Sequence, residues 1–312
     1  MSHLLCIPFK KTLSIDLKQK LANVIDSTFF QTSSIFGDDL SAINRMREDL
    51  INIDVSESGL QKMKTYYICF SKLKEKFPDN QIEYTWFQTL GRKSYGCSHT
   101  CFLFEEINVV YNIGAMYSLL AMENSDGSVE GLKKSCHYFQ YSAGCFGHII
   151  KLLESADEKL LDRKTLTALN YLMLAQAQEA FWFKAVKDSH KDSLIAKLAL
   201  QVSELYDTAS KHAHTSEIIR TDWVEHLKSK SLYFSAVAHY RNSIALGEKE
   251  AYGAQIKSLQ ESLKNLNKAS LGDESALLFR ERVENTLKSC ERDNDLIFLQ
   301  GIPSIVPEIR PA

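Results

Sequence analysis

Between Asp79 and Ile302 this chain has no proline; its five prolines are Pro8, Pro78, Pro303, Pro307 and Pro311. Proline inside a helix removes a backbone donor and clashes with the preceding turn at a cost of about 3 kcal/mol. Its absence leaves the whole middle of the chain open to uninterrupted helices. Long apolar runs are missing too: no window approaches the roughly 18 residues of a membrane span. Even LNYLMLAQAQEAFWF is broken by Asn170, Gln176, Gln178 and Glu179. Charge of one sign is not in excess. Thirty-seven basic against 39 acidic residues give a net charge of -2, so no overall field draws the chain to nucleic acid or anionic lipid. No GxGxxG, GxxxxGK, HExxH or GxSxG motif occurs, which leaves an enzyme without a nucleophile, base or cofactor cradle. A non-catalytic protein is expected, with no cofactor, no small-molecule substrate and no nucleic-acid partner.

The seven cysteines are odd in number, and several fall in apolar helical pattern, where cysteine serves as a small core residue. The opening MSHLLCIPFKK shows neither the basic leader nor the apolar core of a secretory signal. Together these predict a reducing, cytoplasmic compartment.

What is present is a large helical chain. With 45% hydrophobic and 24% charged residues among 312, composition allows a sizeable core, in one long domain or two compact ones. Leu5, Ile7 and Phe9 alternate against Cys6, Pro8 and Lys10, predicting a strand held to a sheet edge by Pro8. Gln81 to Phe87 predicts a second strand that pairs with it. Helices are expected between them at roughly 15–28, 38–53 and 57–76, with Asp38 or Asp39 and Ser56 or Ser58 as start signals. After the turn-rich loop GRKSYGCSHT, helical periodicity covers about 101–123, 128–154, 164–188, 191–212, 219–247, 250–268 and 274–294. Long helices joined by short loops pack antiparallel into a solenoid-like slab. No fixed repeat period is present. The fold class is therefore mostly α with a small N-terminal antiparallel β-sheet: helices plus sheet over 1–95, a helical core over 100–295. The tail LIFLQGIPSIVPEIRPA reads as extended chain, and without a closing helix it predicts a domain that continues past Ala312.

The polar clusters favour packing over chemistry. Cys97, His99 and Cys101 resemble metal ligands, but their CxHxC spacing has no second pair to complete a tetrahedral site. They are expected to form a loop with Thr100 capping the next helix. His212 and His214 follow a helix, where they meet its dipole. Glu105 and Glu106 point about 100° apart, so at most one is expected to face the interior.

The most telling stretch is 165–200. In its second helix Leu194, Leu198 and Leu205 share one stripe, and Ile195, Ala199, Val202 and Tyr206 a neighbouring one; Lys197, Gln201, Ser203 and Glu204 supply the only polar side. A surface helix needs one apolar stripe of roughly 100°. This one is either wholly buried or presents a second stripe to a partner. Lys184, Lys187, Lys191 and Lys197 rim that excess, and an apolar groove bordered by lysine suits an amphipathic helix with an acidic face.

The segment LMLAQAQEAFWFKAVKDSHKDSLIAKLA closely resembles the BRO-domain family, the module of Alix-like and PalA-like adaptors. IPFKKTLSIDL, YTWF, YNIGAMYSLLA, RDNDLIF and IPSIVP agree along essentially the whole chain. It looks most like the yeast Rim-pathway alkaline-pH adaptors. The resemblance implies one BRO domain over 1–312, boomerang-shaped, with a tetratricopeptide-like core. It also implies an adaptor that binds the C-terminal amphipathic helix of an ESCRT-III subunit of the Snf/CHMP class and is recruited to endosomes. The implied contact residues are Phe181, Leu194 and Leu198, with Lys133 on the basic rim. A monomer is expected, with peripheral contact to the endosomal membrane a further possibility. Multivesicular-body cargo sorting and generic peptide binding remain alternatives, as does closure of the patch by further residues of a longer chain.

Overall fold

The computed structural model describes residues 4–154, 160–270 and 274–310. The chain opens with β1 (Lys11–Thr12), α1 (Leu17–Val24), α2 (Gly37–Glu48), α3 (Glu57–Lys74), β2 (Tyr84–Gln88) and β3 (Tyr95–His99). It continues through α4 (Phe102–Glu123), α5 (Val129–Glu154), α6 (Arg163–Lys187) and α7 (Asp192–His214). The last helices are α8 (Thr221–Gly247), α9 (Tyr252–Lys268) and α10 (Glu274–Asp293). From α4 to α9 each helix packs chiefly against its sequence neighbours, the solenoid-like arrangement that proline-free sequence and short loops favour. One apolar core joins the sheet to the helices as far as α8, and a smaller one, including Ile256, Leu259 and Val283, ties α8, α9 and α10 together.

The sheet differs from its sequence reading in two ways. All its pairings are antiparallel, in the order β1-β2-β3, with Lys11 opposite Phe87 and Trp86 opposite Cys97. β3 lies where a loop was expected, because YGCSH has no alternating apolar signature and packs as a largely exposed edge. The alternating segment Leu5 to Phe9 is not a strand. Its backbone instead bonds helix side chains: Leu5 N donates to Gln176 Oε1 at 2.7 Å and Gln176 Nε2 returns a bond to Leu5 O at 2.9 Å. Ile7 N donates to Ser118 Oγ at 2.9 Å, and Lys10 exchanges backbone bonds with the Asn112 amide at 2.8 and 2.9 Å. Alternation therefore reports an extended chain with one buried side, and side-chain amides replace the partner strand.

Smaller departures have local causes. Ser56 caps α3 by accepting from Gly59 N at 3.0 Å, as its sequence signals. Thr100 does not cap α4; Cys101 is the N-cap, and Asp79 Oδ1 accepts from Phe102 N at 2.7 Å. The helix expected to reach residue 53 stops at Glu48. Asn294–Phe298 continue α10 as a π-helical turn capped by Leu299, whose φ is 52°, before the tail runs extended.

Glu105 and Glu106 of α4 are both buried, correcting the one-inside expectation. Glu105 Oε1 accepts from Arg47 Nε at 3.0 Å and Tyr66 Oη at 2.9 Å, while its Oε2 accepts from Trp86 Nε1 at 2.6 Å. Glu106 pairs with Lys74 of α3. Although consecutive side chains diverge by about 100°, α4 is enclosed nearly all round, so two directions are both interior.

Candidate partner-binding site

The site residues gather around the turn between α6 and α7. Asp162 starts α6 by accepting from Lys164 N at 3.2 Å and Thr165 N at 3.0 Å. The helix ends in a Schellman closure: Ser189 N donates to Val186 O and His190 N to Ala185 O, with Ser189 left-handed at φ 55°. Asp192 in the first turn of α7 pairs with Arg241 of α8 at 2.7 Å. Chain reversal within a few residues sets the C-terminal end of α6 beside the N-terminal end of α7. Gln178 Nε2 donates to Gln201 Oε1 at 3.0 Å, bridging the two helices.

Beneath this bridge the helices are pinned from inside. The buried Glu179 carboxylate accepts from Tyr206 Oη at 2.6 Å and from Lys230 Nζ at 2.8 and 2.9 Å, linking α6, α7 and α8. Burial and the adjacent carboxylate push the Tyr206 hydroxyl well above its ordinary pKa. Sequence reasoning missed this trio. Its signal was a lone carboxylate, Glu179, within an otherwise apolar helix face.

Of the three apolar residues expected to face water, two do. Phe181 is 48% exposed and Leu194 37%, whereas Leu198 is 5% exposed and belongs to the main core. Helical geometry explains the difference. Leu198 is rotated about 40° from Leu194 toward the side occupied by Ile195 and Val202, and both of those are buried. The site is thus a two-residue ridge above a seam that Leu198 helps close. Ser203 also turns inward, donating to Ser231 O of α8 at 2.8 Å, so the polar side of α7 is narrower than its sequence suggested.

The cations around the ridge are unequal. Lys184 forms an ion pair with Asp188, and its hydrogen bond holds the Asp188 carboxyl below the usual range, with Lys133 and His190 adding to the effect. Lys133 stands at the start of α5, 4.0 Å from Glu130. Lys197 is half-buried and has no acidic partner within 4 Å among the described residues. The described residues hold no group of three or more His, Cys, Asp or Glu placed for a metal ion, and Cys97 Sγ simply approaches His99 Nε2 at 3.3 Å. No helix of the described residues is long and apolar enough to cross a membrane.

The BRO1-like domain family model matches residues 4–312. The chain belongs to the BRO1-like domain family. It is 47% identical over 315 residues to the pH-response regulator protein palA/RIM20 of Saccharomyces cerevisiae, covering 100% of this chain and 47% of that protein. The Kluyveromyces lactis palA/RIM20 protein is 44% identical over 312 residues, covering 100% and 48%. The chain therefore spans about half the length of the curated relatives it matches. Among solved structures, the complex of the ALIX BRO1 domain with CHMP4C superposes with a TM-score of 0.89 at 24% identity, over 99% of this chain and 93% of that one. A structure described as the basis for endosomal targeting by the Bro1 domain gives 0.86 at 19% identity, over 98% and 89%. These two likenesses are of fold. Family membership places this BRO1-like domain among adaptor modules, not enzymes.

Proposed function

We propose that this BRO1-like domain is an adaptor that binds the C-terminal amphipathic helix of an ESCRT-III subunit of the Snf/CHMP class and so recruits its protein to endosomes for alkaline-pH signalling. The observation that carries this reading is the Phe181 and Leu194 pair, left in water at a turn whose other apolar residues are packed away. The fold it shares with a BRO1 domain solved together with CHMP4C supports the partner class, and the pH-response relatives support the pathway.

Covering the part of each ridge residue that still meets water, less than half of its surface, contributes roughly 0.5–1.5 kcal/mol before ordering costs. Leu198, already buried, adds little further area. Two anchors with surrounding polar contacts suit micromolar, reversible binding. Lys197 and the partly neutralised Lys133 and Lys184 favour an acidic outer face on the bound helix.

Calorimetric titration with a synthetic C-terminal helix of a Snf/CHMP-class subunit tests the reading. Phe181→Ala and Leu194→Asp should each weaken binding at least about tenfold, or 1.4 kcal/mol, while thermal melts stay near those of the parent chain. In cells, Leu194→Asp should disperse endosomal puncta of the labelled protein. Parent-like affinity in both variants rejects the ridge as the contact.

A further inference from the structure

Three cationic side chains are buried among the described residues: Arg47, Lys230 and Lys10. The first two are neutralised in place, Arg47 by Glu105 at 3.0 Å and Lys230 by Glu179 at 2.8 Å. Lys10 is 5% exposed and has no carboxylate within 4 Å among the described residues. Its Nζ donates to Asn108 Oδ1 at 2.8 Å and lies 4.7 Å from the centre of the Tyr111 ring. An ammonium offers three donors, so one hydrogen bond and one aromatic face leave it undersatisfied, and a buried charge without a counter-charge costs several kcal/mol. Burial accordingly pulls its pKa down to about 7, with negative charge on Cys97 of β3 acting the other way.

Lys10 and its acceptor Asn108 both line a cavity of about 1140 Å³. One wall is the sheet and the start of α4, with Trp86 and Phe104. The opposite wall is the N-terminal end of α6 and the C-terminal end of α7, with Lys164, Thr167, His212 and Thr215. The charges of that wall are largely committed elsewhere: Asp162 caps α6 and Arg163 pairs with Glu154 at 2.8 Å. Lys164 and Glu217 remain without an ion partner within 4 Å among the described residues.

We propose that this cavity binds a small oxyanion, a phosphate or carboxylate group, with the Lys10 ammonium as its buried counter-charge. The His212 ring on the opposite wall is a further donor, while the Thr167 and Thr215 hydroxyls already donate to Arg163 O at 2.8 Å and His212 O at 3.0 Å and would have to turn from them. The low local dielectric strengthens the charge pairing. The site lies at the opposite end of α6 from the ridge and stands independently of it.

The test follows the Lys10 side chain by NMR of the chain carrying ¹³Cε-lysine, titrated in chloride, inorganic phosphate and acetate at matched ionic strength. An occupied site raises the apparent pKa of Lys10 by about one unit, a tenfold preference of the anion for the protonated form. A rise in phosphate alone, or in acetate as well, identifies the oxyanion. A second readout needs no mutation: the rate at which an N-hydroxysuccinimide acetate reagent acetylates Lys10, read by mass spectrometry. At four times the dissociation constant, phosphate or acetate should slow Lys10 about fivefold and leave exposed Lys249 unchanged. A Lys10→Met chain that folds should lose anion-induced thermal stabilisation. A Lys10 pKa and acetylation rate equal in all three salts overturn the proposal.

Discussion

Helix α6 carries two unlike surfaces toward its ends, about 25 Å apart along its axis from Lys164 to Phe181. At its C-terminal end, Phe181 stands with Leu194 as apolar surface in water while nearby lysines lean on acidic neighbours. At its N-terminal end the wall is polar, and the exception is inverted: a cation, Lys10, sits inside with no carboxylate within 4 Å among the described residues. Each surface keeps a group in the environment it tolerates least. Between the two, the buried Glu179 carboxylate has both Tyr206 and Lys230. Incomplete satisfaction confined to the ends of a well-satisfied helix separates surfaces kept for a partner from those kept for the fold.

The sharpest way to break this comparison is at the C-terminal end, where two leucines one turn apart have opposite environments. Leu198→Asp places a charge in the core and should destabilise the domain by at least about 4 kcal/mol, enough to lower its thermal midpoint by several degrees or prevent folding. Leu194→Asp should cost less than about 1 kcal/mol when both variants are unfolded in urea, because its side chain already meets water. Equal losses from the two would mean that the ridge is part of the core.

That contrast also marks how far sequence alone could reach. Helices α4 to α10 begin and end within two residues of their periodicity limits, because no proline or glycine turn competes inside them. The family resemblance located Phe181, Leu194 and Leu198, but not which of them faces solvent. A rotation of about 40° about the helix axis decides that, and only the neighbouring helices define which way is inward. Lys10 was legible merely as a polar position in the alternating N-terminal segment. Its burial depends on Asn108 and Tyr111, about a hundred positions away in sequence, and on extended chain docking against helices, for which periodicity has no signature. β3 was lost for a related reason: an exposed edge strand has no apolar alternation to display.

At the N-terminal end of α6 the comparison sharpens through pH. The Lys10 pKa falls from 10.5 to about 7 on folding. Between those values the unfolded chain holds a proton that the folded chain has released, so this group makes stability rise with pH from about 7 to 10.5 and leaves it level below. Urea titrations of the parent chain in an amine buffer free of phosphate should gain roughly 2 kcal/mol from Lys10 between pH 7 and pH 9. Lys10→Met should flatten that part of the slope. Parent and variant curves that run parallel would show that Lys10 is charged throughout, with a counter-charge already in place.

The smallest effect concerns the cations beside the ridge. Lys133 is half exposed and 4.0 Å from Glu130, and its field also reaches Asp188, so an acidic helix arriving at the ridge meets a charge already partly neutralised. Exposed pairs of this kind are worth less than about 0.5 kcal/mol, and Lys133→Ala should weaken binding no more than about twofold. Lys197 has no such neighbour and is half-buried, where screening is weaker. Lys197→Ala should therefore cost more, about threefold to fivefold at low ionic strength, and both losses should shrink as salt is added. A larger loss at Lys133 than at Lys197 would mean that the partner displaces Glu130 on binding. The bound helix would then extend across the start of α5, beyond the seam between α6 and α7.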